Sequence, residues 1–314
     1  MDLMADIGAT NTRCALLDDK GREVAPEVFD NTDFNGVVGV LEVYLDHRRS
    51  SDRPTRAALA VAAPIRGDDV QMINIGWRFS QQELKKKLAL KKLQVVNDFT
   101  AMAWALSQLK DADVAQVGAG KSVPRATMAT LGPGSGLGVS ALVPVADSWA
   151  VMTGEGGHVA MPAATREEHE VIALLQQRFD GHCSAERVLS GPGLVNLYVA
   201  LAELAGRGKP TVTPEDVTNL ARQGEPMARK TQAMFFAMLG SIAANLAVTT
   251  GAHGGVYIAG GIVPRLLEPL QKSEFRARFE SKGRYRDYLA AIPTYVITAP
   301  TPAFRGLRHF LGYR

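Results

Sequence analysis

A chain of 314 residues, 46% hydrophobic and 21% charged, has the make-up of a soluble globular protein with room for two cores. Its net charge of +3, from 35 basic and 32 acidic side chains, is too small and too dispersed to argue for a nucleic-acid partner. With two cysteines, Cys14 and Cys183, and no CxxC pair, neither a zinc site nor a disulfide framework is indicated. We expect Cys14 to be a buried strand thiol and Cys183 a bystander near a site.

The first residues, MDLMADIGATNTR, predict a strand over 3–6 that runs into a small-residue bend. Asp6 then stands at a strand end, with Ile7, Gly8 and Ala9 in the bend and Thr10 and Asn11 offering side-chain donors. Exposed turn amides form an anion-binding concavity, and an acid beside it can hold magnesium directly or through water. Strands are predicted over 14–18, 57–62, 70–72 and 93–96. Apolar residues at helical spacing predict a helix over 37–48. A second helix, 80–88, starts from Ser80 with Glu83 three residues later, the pattern of a capping box.

The strand over 93–96 delivers Asn97 and Asp98 ahead of a helix over 101–109. Asp98 can be read as that helix's N-cap, since Asp often fills this role, or as a carboxylate facing a cleft. Residues 110–124 carry the expected lobe boundary. Strands are then predicted over 126–131, 138–142 and 149–152, joined first by LGPGSGLGV. Its Gly134, Ser135 and Gly136 suit a plain hairpin turn, a second phosphate loop whose glycines let a ligand approach the main chain, or both at once.

GEGGH presents Glu155 and His158 from a bend, and SAER places Glu186 ahead of the turn SGPG. Carboxylates, an amide and an imidazole match hydroxyls that donate and accept hydrogen bonds. Asn97, Asp98, Glu155, His158 and Glu186 are therefore a set that a hexose would need, although spacing does not show that they converge. Helices are expected near 167–178, 193–205, 214–223 and 226–250. The most apolar stretch, 233–250, contains Gly240, Ser241 and Asn245 and reads as a core helix rather than a membrane span. A strand over 255–259 ends in Gly260 and Gly261, and a last strand over 294–298 precedes a short helix over 304–311 that is expected to return to the first lobe. No signal-peptide pattern opens the chain, so a cytoplasmic location is expected.

DIGATNTR, VVNDFTA, LGPGSGLGV, GEGGHV, SAERVLSGPGLVNLY and GGVYIAGGIVPR, in that order, resemble the bacterial glucokinase family of the actin, Hsp70 and hexokinase superfamily. The resemblance implies a two-lobed α/β fold of the hexokinase-like (ribonuclease H-like) kind, with mixed sheets flanked by helices and an interlobe cleft. It implies a small lobe of 1–110 joined by 300–314 and a large lobe of 111–299. The implied reaction is ATP-dependent phosphorylation of D-glucose at the C6 hydroxyl, with Mg²⁺ and with Asp98 as general base.

Carried over by position, glucose would meet Asn97, Asp98, Glu155, His158 and Glu186. ATP would meet Asp6, Ile7, Gly8, Ala9, Thr10, Asn11, Gly134, Ser135 and Gly136, with Gly260 and Gly261 near the adenosine and Asp6 at the magnesium. A homodimer through the second lobe is also implied, with Leu194, Leu197, Tyr198 and Leu201 as one apolar stripe that could serve it or pack on its own sheet. Two departures stand out: Ala9 replaces a usual glycine, and the C-terminal AFRGLRHF replaces a usual small-residue turn. The repressor and kinase relatives with a cysteine-rich zinc motif after the histidine are excluded, because no cysteine cluster follows His158. A glucose sensor without turnover and an ATPase without a sugar site are the rival readings.

Overall fold

The computed structural model describes residues 1–48 and 53–313. The chain divides into two compact units, Met1–Leu109 with Ala299–Arg314, and Lys110–Thr298.

The first unit is built from β1 (Asp2–Ile7), β2 (Asn11–Leu17), β3 (Glu23–Asp30), α1 (Val37–Asp46), β4 (Arg56–Val61), β5 (Asp69–Met72), β6 (Trp77–Ser80), α2 (Gln81–Lys87), β7 (Lys92–Asn97) and α3 (Asp98–Leu106). Five strands form one sheet in the order β3-β2-β1-β4-β7, and β5 pairs with β6 apart from it. β1, β4 and β7 run parallel, β2 pairs antiparallel with β1, and β3 pairs antiparallel with β2. Side chains alternate across a strand, and β1 shows the consequence. Leu3, Ala5 and Ile7 enter a core with Val40, Leu41 and Tyr44 of α1, whereas Met4 faces a separate core. The C-terminal helix completes that second core.

The second unit contains β8 (Val114–Gln116), β9 (Met128–Pro133), β10 (Leu137–Val145) and β11 (Ser148–Thr153). Four helices follow: α4 (Arg166–Arg178), α5 (Gly191–Leu204), α6 (Pro214–Gln223) and α7 (Pro226–Thr250). It closes with β12 (Gly255–Ile258), α8 (Leu267–Gln271), α9 (Phe275–Glu280), α10 (Arg286–Ala291) and β13 (Thr294–Ile297). The sheet order is β11-β10-β9-β12-β13-β8. Helix α7 is long and apolar enough to cross a membrane by length and composition, but 67% of its most apolar window is buried inside the protein. Its Phe235, Phe236, Met238 and Leu239 form the centre of the unit's core.

Helix α11 (Pro302–Leu311) belongs to the first unit, where Phe304, Leu307 and Leu311 pack with Met4, Ala58 and Ala101. Gly306 is required at that crossing, because a Cβ there would overlap the carbonyl of Ala101 in α3. The atypical C-terminal segment is thus fitted to α3 by one glycine and by the stacking of His309 on Trp104, with ring centroids 3.5 Å apart.

Several local expectations change. Ser80 Oγ accepts the amide of Glu83, as a cap should, but the reciprocal bond from the Ser80 amide to the Glu83 carboxylate is not formed. Helix α3 begins three residues earlier than expected, at Asp98, because Asn97 caps it. The edge strand β3 escaped the pattern for a physical reason. It carries Pro26, and one extra residue bulges at Ala25, whose φ is +52°, between the pairs Cys14–Glu27 and Leu16–Val24. β6, β8 and the one-turn to two-turn helices α8, α9 and α10 were also not expected; each is too short to show a period. Finally, Leu194, Leu197 and Leu201 are fully buried in the core of their own unit, with Tyr198 packed against it. That stripe offers no dimer surface.

Candidate active site groups

In the first unit, parallel pairing sets three strand ends level: Ile7 lies opposite Val61, and Val61 opposite Asn97. Asp6, Asn97 and Asp98 therefore gather at the carboxyl end of the sheet, the edge where open α/β sheets bind ligands. Asn97 is extended, as an N-cap must be, and its Oδ1 accepts the amides of Phe99 (2.9 Å) and Thr100 (3.3 Å). Asn97 thereby takes the capping role that the sequence left open for Asp98. Its Nδ2 donates to Asp98 Oδ1 at 2.9 Å and to the Ala63 carbonyl at 3.3 Å, fixing the carboxylate's direction.

Burial pushes the Asp98 carboxyl up from 3.8 to about 7, and the nearby Asp6 charge adds to the rise. The amides of Phe99 and Asp98 and the Asn97 side chain oppose it. Asp6 is also raised by burial, against the pull of the Arg13 guanidinium 3.8 Å away. Two mutually repelling carboxylates at one strand edge suit proton uptake or a cation.

The bend after Asp6 is a tight hairpin in which the Gly8 amide donates to the Asn11 carbonyl at 3.0 Å. Ala9 fits without left-handed geometry, being absent from the positive-φ residues, so the missing glycine costs no strain. Thr10 is exposed and Asn11 half-buried. One residue that the sequence did not reveal holds the bend: buried Asn31. Its Nδ2 donates to Gly8 O (2.9 Å), its Oδ1 accepts from Thr12 Oγ1 (2.7 Å), and its amide donates to Thr10 O (2.9 Å).

In the second unit, the glycine loop is a hairpin, with Gly134, exposed Ser135 and Gly136 joining β9 to β10. Gly260, at φ +86°, follows the parallel neighbour β12 and presses on Pro133 so closely that a Cβ would collide with its carbonyl. Gly260 and Gly261 are exposed beside that hairpin. Glu155 and His158 are exposed on a 3-10 turn, Gly156–His158, which is tied to the SAER segment. Gly157 O accepts the Glu186 amide (2.9 Å), Val159 O the Ala185 amide (2.8 Å), and His158 O pairs with His182 Nε2 (3.1 Å).

Glu186 is half-buried, and its Oε2 accepts the Leu137 amide at 2.8 Å. Glu155, His158 and Glu186 thus stand on two adjoining segments of this unit. Cys183, three residues before Glu186, is buried in the core, which pushes its thiol up to about 11. Cys14 is buried too.

Among the described residues, no three His, Cys, Asp or Glu side chains cluster as a metal cage. Asp6 at a turn rich in amides fits a magnesium that arrives with a nucleotide rather than a resident ion, since Mg²⁺ is commonly held by one or two carboxylates plus phosphates.

Comparison with known proteins gives the family of the chain. The glucokinase family model matches residues 3–313. The chain is 47% identical to a glucokinase of Paramagnetospirillum magneticum over 98% of its own length and 96% of that protein's. A crystal structure of a glucokinase from an Antarctic psychrotroph superposes with a TM-score of 0.85 at 35% identity, covering 99% of this chain and 98% of that one. A glucokinase of the ROK family from Streptomyces griseus, solved with glucose and AMPPNP, shares the fold at a TM-score of 0.68 and 17% identity, covering 98% of both chains. With its α/β units, their mixed sheets and a match from Leu3 to Tyr313, the chain belongs to the glucokinase family of sugar kinases.

Proposed function

We propose that the protein transfers the γ-phosphoryl group of ATP to the C6 hydroxyl of D-glucose, giving glucose 6-phosphate and ADP. The observation that carries this reading is Asp98: a carboxylate directed by Asn97, with its titration brought to about 7 by burial and by Asp6. A general base works best when its pKa lies near the working pH. In this reading Asp98 takes the C6 hydroxyl proton while the oxygen forms a bond to the γ-phosphorus. The bond from that phosphorus to the bridging oxygen breaks, and ADP leaves with the electron pair.

Asn97, Asp98, Glu155, His158 and Glu186 would hold the sugar through its other hydroxyls. The amides and small residues of 6–11 and 134–136 would receive the phosphates, with Gly260 and Gly261 leaving room for the adenosine. Asp6 would hold Mg²⁺, whose charge offsets that of the phosphates during transfer. Most of the catalysis in phosphoryl transfer is positioning, and the fixed hydrogen bonds of Asn97 and Asn31 supply it here. The ROK-family relative solved with glucose and AMPPNP supports this pairing of substrates. A cytoplasmic location and a homodimer complete the reading; sedimentation showing only a 33.7 kDa species at micromolar protein would remove the dimer.

A coupled assay across several hexoses and phosphoryl donors tests the whole. We expect turnover with glucose and Mg-ATP. Nucleotide hydrolysis that is indifferent to any hexose would favour the ATPase alternative, and binding of both substrates without turnover would favour the sensor.

A further inference from the structure

Glu186 has a second neighbour that a sugar-binding role does not need. Its Oε2 accepts the Leu137 amide at 2.8 Å, and it lies so close to Gly136 that any Cβ at that position would meet it. The same segment grips the other end of the hairpin, where the Gly191 amide donates to Gly134 O at 2.8 Å. Between these two grips, Ser190 Oγ donates to Glu186 O (2.8 Å) and accepts from the Gly193 amide (3.0 Å), which fixes the start of α5. Residues 186–191 therefore form a brace across the glycine hairpin, and the carboxylate of Glu186 is one end of it. Oε1 has no protein partner among the hydrogen bonds of the described residues.

We infer that Glu186 is a positioning residue for the nucleotide, coupling occupancy of the sugar site to the shape of the phosphate loop at Gly134, Ser135 and Gly136. This rests on the proposed function, because it takes the hairpin as the phosphate loop and Glu186 as a sugar ligand. A hydroxyl bound at Oε1 restricts the carboxylate's rotation and so holds Oε2 on the Leu137 amide. The hairpin is then ordered before the nucleotide arrives, and the second ligand has less entropy to lose. Coupling of binding is reciprocal, so nucleotide must tighten glucose by the same factor.

The test is calorimetric titration of Mg-AMPPNP into the full chain, without glucose and at saturating glucose. For the wild type we expect glucose to tighten the nucleotide about 5-fold or more, the lower range of ordinary allosteric coupling. Glu186→Ala should weaken nucleotide binding roughly 5- to 100-fold even without sugar, the cost of one buried amide left unpaired, and should abolish the coupling.

Gly136→Ala approaches the brace from the other side and serves if Glu186→Ala does not fold. Its methyl displaces the carboxylate, so glucose affinity should fall in the absence of any nucleotide. Equal sugar-free nucleotide affinity in the wild type and Glu186→Ala, or unchanged glucose affinity in Gly136→Ala, overturns the inference while leaving the kinase reading intact. A wild type that binds neither AMPPNP nor glucose overturns both.

Discussion

Asp98→Asn should make the protein slower and more stable at once, and the two effects have one cause. In the folded chain Asp98 titrates near 7 against an ordinary 3.8, so ionising it at neutral pH works against folding. By linkage that rise corresponds to at most about 4 kcal/mol, at about 1.4 kcal/mol for each pH unit between the two values. Water at the half-buried carboxylate reduces this, and we expect about 1–3 kcal/mol.

The direction in pH follows from the raised value. The group's favourable contribution is complete below about 3.8, declines as pH rises, and is gone above about 7. Asparagine has the same shape, can still accept the Phe99 amide, and does not ionise. Thermal melts of the wild type and Asp98→Asn without substrates should therefore diverge between pH 5 and pH 8, with the variant melting several degrees higher at pH 8. Turnover should drop about 10²–10⁴-fold, the usual cost of removing a general base. Wild-type kcat/KM should fall as pH drops through about 7, where Asp98 takes up its proton. A variant no more stable than wild type at pH 8, or one retaining wild-type turnover, would refute the reasoning.

Four further substitutions test other parts. Gly306→Val should destabilise the first unit by about 3 kcal/mol, the upper end for overpacking, because the obstacle is the Ala101 backbone. Trp104, stacked on His309 across that crossing, should report it by fluorescence melting, and an unchanged midpoint would contradict the close approach. Asn31→Asp replaces the donor to Gly8 O by a carboxylate oxygen. The KM for ATP should rise roughly 5- to 100-fold with glucose affinity unchanged, and a rise confined to glucose would show that Asn31 does not position the first loop for phosphate. Glu155→Gln and His158→Ala should each raise the KM for glucose by a similar factor, and unchanged glucose titrations in both would move the sugar site elsewhere.

Much of this protein is local and was therefore legible in the sequence. Asp6 at a strand end, the tight bends at Gly8 and Gly134, the Ser80 cap and the long apolar α7 all follow from neighbours within a few residues. The ordered motifs also sufficed to indicate the family, because each is a short segment whose residue types are read in place. Even so, the choice of Asn97 over Asp98 as the cap of α3 was settled only by backbone geometry: Asn97 is extended, and Asp98 is already helical.

What the sequence left open depends on residues far apart in the chain. Asn31 reaches Gly8 across 23 positions, Glu186 reaches Leu137 across 49, and Gly306 meets Ala101 from the far terminus. No local period or spacing encodes such contacts, since each is fixed by how strands register and helices cross. The titration of Asp98 belongs to the same class. A carboxylate's type is written in the sequence, but its desolvation and its repulsion from Asp6 exist only once parallel β1, β4 and β7 bring Asp6 and Asp98 to one edge of the sheet.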